Sequence, residues 1–121
     1  MSGLKRAIAA AFAVAALVHL SASEAEASVL KAVIDNCQNQ SLNPDDRIAA
    51  CTQLVHSNLF LPHFRAVFLV HRALAYRQKG DTADEVQDIV EALKLNPDDS
   101  NALMLRDEIN SEHPGAIPVQ Q

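Results

Sequence analysis

HFRAVFLVHRALAYRQKGDTADEVQDIVEALKLNP, residues 63–97 of a 121-residue chain, is the stretch from which the fold can be read. Its first half, His63 to Lys79, is apolar nearly all round at the centre (Ala66-Val67-Phe68-Leu69-Val70), as expected of a helix with neighbours on two sides. Gly80 stops that helix, because glycine takes the left-handed backbone of a helix end without strain. Thr82-x-x-Glu85 then reads as a capping box for a further helix, whose Val86, Ile89, Val90 and Leu93 form one apolar stripe. Asn96-Pro97-Asp98-Asp99 ends it and opens another helix carrying Ala102, Leu103, Leu105 and Ile109.

The same grammar extends toward the N-terminus. Leu30, Val33, Ile34 and Cys37 fall at helical spacing, and Asn43-Pro44-Asp45-Asp46 is a turn into a helix start, with carboxylates favoured at the positive end of the helix dipole. Ile48, Cys51, Thr52 and Val55 form the next stripe, with Leu54 beside them. Asn58 is the expected left-handed cap, and Pro62 sits in a first-turn position. The word LNPDD occurs at 42–46 and again at 95–99, and both copies read as one helix-start device. No alternating strand pattern appears, so the expected class is all-α, built from antiparallel helical hairpins with short connections. The domain is expected over residues 28–110, and SEHPGAIPVQQ, residues 111–121, as a flexible tail without periodicity.

RALAYRQKGDTADEVQDIVEALKLNPDD, within a proline-to-proline spacing close to ~34 residues, resembles the core of a tetratricopeptide repeat. Leu69, Ala73 and Tyr76 match the large, small and aromatic places of the first helix, Gly80-Asp81 the turn, and Ile89, Ala92 and Pro97 the second helix and its end. Glu85 departs from the pattern, standing where a small alanine usually lets the helices cross closely. Residues 28–62 match weakly, and 98–110 are similar to the first helix of a further repeat. The resemblance implies a short right-handed solenoid of about two and a half repeats, fewer than the ~3 usual for stability. Small exported proteins of this family look similar, which implies a bacterial periplasmic setting. In the resembled family one face of each first helix lines a groove. Carried over, that face is Val70, His71, Leu74, Arg77 and Gln78, with Met104 from the next helix.

Lys5 and Arg6 precede an apolar run over residues 7–20, with Ala25-Glu26-Ala27 as the small-x-small site, the order of a secretory signal peptide ending at residue 27. Ser21-Ala22-Ser23 is a second site for cleavage. The run is shorter than the ~18 to 20 residues of a membrane span, so no span is expected in the mature form. The net charge of −5 argues against nucleic acid or an anionic membrane surface as partner. In an oxidising compartment, Cys37 and Cys51, nearly equidistant from a turn near Asn43, are expected to form a disulfide. Zinc would want the short C-x-x-C spacing, and His63 and His71 stand too far apart on one helix for joint chelation. No base-oriented nucleophile is evident, the acidic residues read as caps and solvent faces, and no cofactor is expected.

The expectation is therefore a periplasmic or secreted interaction module, not an enzyme, with a protein or peptide partner and scope for self-association. The alternative is a small metal-binding or redox-responsive periplasmic protein, motivated by the two cysteines and the histidines.

Overall fold

The computed structural model describes residues 22–119. The basic residues Lys5 and Arg6 and the apolar run 7–20 lie outside the described residues. The chain divides into two compact units, Met1–Ala32 and Val33–Gln121. In the first, residues 22–32 are helical and almost entirely exposed. The second carries the core and everything that follows.

Among the described residues the structure is all-helical, with no strand. We label the helices α1 (helical over residues 22–38), α2 (Pro44–His56), α3 (Pro62–Lys79), α4 (Thr82–Leu95) and α5 (Ser100–Glu112). Helix α2 packs on α3, α3 on α4, and α4 on α5. Polar pairs give the directions. Asp45 meets Lys79 and Thr52 meets Arg72, so α2 and α3 run antiparallel; Arg77 meets Glu85 and Arg72 meets Asp88, so α3 and α4 do as well.

The core is largely aliphatic, with Phe68 the one aromatic side chain among its buried residues. Leu69, Val70, Ile89, Leu93, Leu105 and Ile109 fill it, while Ala66, Ala73, Ala92 and Ala102 are wholly buried and keep the helix axes close. Of the residues that carry the repeat resemblance, Leu69, Ala73, Ile89 and Ala92 are buried, Tyr76 is half-buried, and Pro97 sits in an exposed turn. Gly80 closes α3 at φ 76°, its N–H and that of Asp81 donating to the carbonyls of Arg77 and Tyr76. Cys37 and Cys51 are joined as a disulfide with no exposed surface, their Cα atoms 4.7 Å apart.

Several local expectations are corrected. Asp81, not Thr82, is the N-cap of α4, and it makes no side-chain cap bond. Glu85 does not reach back to the cap because Arg77 holds it. That ion pair also accommodates a carboxylate at the place where the helices cross: Glu85 is buried. Asn58 is not left-handed; α2 ends at Ser57 in an extended conformation, and no non-glycine residue among the described residues has positive φ.

The two LNPDD copies do different work. In the first, the Asn43 side chain accepts the Asp45 N–H and Pro44 begins α2. In the second, Asn96 still donates to Ala92 at the end of α4, so the cap shifts to Asp99, whose Oδ1 accepts the N–H groups of Asn101 and Ala102.

The packed unit also runs past residue 110. Helix α5 continues to Glu112, and Ile117 is buried against the core. The Asn110 amide clasps it, accepting the Ile117 N–H at 2.9 Å and donating to its carbonyl at 2.8 Å. Replacing Ile117 by serine should lower stability by about 2 kcal/mol, the transfer value of one buried aliphatic side chain. Chemical denaturation read by helical circular dichroism measures this, and a loss below about 0.5 kcal/mol, the range of ordinary surface substitutions, would contradict the docked tail.

Candidate functional site

Helix α3 is buried on one side by α2 and on another by α4, which leaves a strip toward α5. Val67, Val70, His71 and Leu74 of that strip, with Met104 and Leu105 of α5, line a cleft of about 320 Å³. Gln40, Asp99 and Asn101 add polar groups to its lining. Met104 is 53% exposed, so the wall of the cleft that it forms is open to solvent. Of the six residues expected in a groove, Val70, His71, Leu74 and Met104 are therefore brought together.

Arg77 and Gln78 are engaged elsewhere. Arg77 donates from Nε to Glu85 of α4 and from Nη1 to Glu108 of α5 at 2.7 Å, tying three helices with one guanidinium. The Gln78 Oε1 accepts from Arg47 Nη1 at 3.1 Å. Arg47 is only 1% exposed, and its Nη2 also donates to the His71 carbonyl at 3.4 Å. Its Nε has no partner.

This places a buried cation behind His71. Burial first, and the Arg47 charge second, hold the His71 imidazole below its ordinary value of 6.5, so it is neutral at neutral pH. The sign of the linkage follows. Between the lowered folded value and 6.5 the unfolded chain binds the proton better, so stability is full above that window and falls as pH drops through it. Melting temperature should decrease more steeply below pH ~6.5 in the wild-type chain than in His71→Gln. Parallel slopes for the two proteins would contradict this.

The acidic residues are not all on caps and solvent faces. Asp88 is buried and takes both Nε (2.8 Å) and Nη2 (2.7 Å) of Arg72, whose Nη1 donates to Thr52 at 3.0 Å. Sequence reading placed Glu85 at the helix crossing but missed its ion pair, and it missed Arg47 and Asp88 as interior groups. A signal was present: Arg72 and Arg77 lie nearly as far before Gly80 as Asp88 and Glu85 lie after it, so an antiparallel hairpin brings them together.

Among the described residues, no group of three or more His, Cys, Asp or Glu side chains is placed to hold a metal ion, and no helix is long and apolar enough to cross a membrane. Both cysteines are in the disulfide, so neither thiol is free. The cleft offers shape, apolar surface, the amides of Gln40 and Asn101, the Asp99 carboxylate and the His71 imidazole. No protein-family model, no curated protein and no solved structure matches the chain.

Proposed function

We propose that this protein is an exported, non-catalytic helical-repeat module of tetratricopeptide type that holds a protein or peptide partner in the cleft between α3 and α5. One observation carries the reading: residues selected from the repeat resemblance, Val70, His71, Leu74 and Met104, converge on one open cleft with an exposed methionine at its wall. Apolar clefts with a few placed polar groups favour ligands that bury side chains. Methionine suits such a surface, because its unbranched thioether adapts to different shapes.

Export is supported by the basic-then-apolar N-terminus and by the buried disulfide, which fits an oxidising compartment. The repeat type is supported by the α3–Gly80–α4 hairpin and its small-residue contacts. The periplasm of a Gram-negative bacterium is the compartment we assign.

The test is capture of partners from extracts of the producing cells, using wild-type chain and Met104→Glu as bait. Because Met104 is exposed, the variant should melt within a few degrees of wild type while losing the partner that wild type retains. A partner captured equally by both baits would contradict the cleft as the binding surface.

A further inference from the structure

A second surface lies at the opposite end of α3 from Gly80. The segment Ser57 to Phe64 exposes Leu59 (75%), Leu61 (61%) and Phe64 (49%), three large apolar side chains within six residues of chain. Phe60, between them, turns inward and meets Phe68 edge to face at 4.9 Å, so the segment is anchored while its neighbours face out. Single exposed apolar residues need no explanation, but a contiguous group of them marks a contact surface.

The chain segment that carries this patch is basic in sequence, although most of its cations lie toward the Gly80 end of α3. From Arg47 to Gly80 the chain has no Asp or Glu, yet it contains Arg47, Arg65, Arg72, Arg77 and Lys79. Arg72, Arg77 and Lys79 meet carboxylates from other elements, and Arg47 is buried. Arg65 is the exception. It follows Phe64 directly and lines a cleft of about 450 Å³ with Val55, His56, Leu69 and Lys94, and no hydrogen bond or ion pair engages its side chain among the described residues. Its Nε is buried without a partner. The carboxylates lining the same cleft are occupied, Asp88 by Arg72 and Glu91 by Lys94.

We infer that Leu59, Leu61, Phe64 and Arg65 form a docking surface for an acidic-apolar segment of a partner protein, one that places an Asp or Glu carboxylate on Arg65 and apolar side chains on the patch. This site is separate from the α3/α5 cleft and does not depend on that cleft's role. A carboxylate satisfies the idle guanidinium in the two-pronged geometry it favours, and flanking apolar groups remove water from the pair. A lipid bilayer fits less well. A single unpaired arginine contributes only about 1 kcal/mol toward an anionic surface, and the chain's net charge of −5 opposes approach. A second copy could bring two apolar patches together across a two-fold axis, but it would leave both Arg65 guanidiniums without a carboxylate.

The experiment is selection from a displayed random peptide library on the disulfide-bonded full chain, followed by direct binding of the enriched peptides. The expected peptides carry Asp or Glu within a few residues of Leu, Ile or Phe. Binding should weaken at least tenfold in Arg65→Gln and in Leu61→Ser/Phe64→Ser, and to an intermediate degree in Arg65→Lys, which keeps the charge without the two-pronged geometry, with helical circular dichroism showing each variant folded. Selected peptides without an acidic residue would overturn the inference. So would equal binding by wild type and Arg65→Gln, binding to phosphatidylglycerol vesicles lost in the same variants, or a dimer in sedimentation that Leu61→Ser dissolves.

Discussion

Replacing Asp88 by alanine should lower unfolding free energy by about 3–5 kcal/mol, the largest effect expected of any single substitution here. The reason is the charge left behind. Side chains of Arg72 and Asp88 are 15% and 5% exposed, and Asp88 supplies both oxygens that meet the guanidinium. Without Asp88, a cation remains between α2, α3 and α4 with only the Thr52 hydroxyl to receive one of its donors. Removing both charges is a different experiment. The double variant Arg72→Met/Asp88→Leu fills similar volume without an unpaired ion, and it should fall within about 1.5 kcal/mol of wild type. Urea unfolding of the three proteins measures both quantities. A loss below about 1 kcal/mol in Asp88→Ala would show the pair to be solvated like a surface salt bridge.

Opening the disulfide should cost about 3 kcal/mol, because the crosslink removes loop-closure entropy from the unfolded chain. Its sequence separation of 14 residues puts it near the length for which that value is reckoned. Both sulfurs are fully buried, so native-state reduction needs local opening, and Cys37→Ser/Cys51→Ser is the cleaner probe. That variant should melt well below the oxidised wild type. Equal melting of the two would show that the turn from Asn39 to Asn43 and the α2 contacts hold Cys37 and Cys51 together unaided.

How far the sequence revealed this arrangement varies with the kind of signal. The stripes on α3 and α4 and the Gly80 stop are periodic and local, and they gave the hairpin directly. Cys37 and Cys51 were legible because each completes an apolar stripe on either side of one turn. LNPDD was read too literally. A pentapeptide sets a helix start only where the chain before it is free to turn, and the second copy follows α4 without a gap. Ile117 had no periodic neighbour; one buried side chain and an amide clasp from Asn110 are invisible to pattern reading. Arg47 and Asp88 were hidden by the usual association of charge with solvent, and the partner of Glu85 was not foreseen, although an antiparallel pairing across Gly80 points to Arg72 for Asp88 and to Arg77 for Glu85. In the cleft, Val70, His71, Leu74 and Met104 were foreseen and Val67 was not, while Gln40, Asp99 and Asn101 come from a turn, a cap and a first turn, where no face repeats.

The partner-binding role of the cleft is tested most directly by a photoreactive amino acid at Met104, with the same group at Gln53, exposed on α2, as the reference. Irradiation in the producing cells should give one discrete crosslinked protein from position 104 and none from position 53. Identical products from both positions, or none from 104 while the chain is folded and oxidised, would contradict the account.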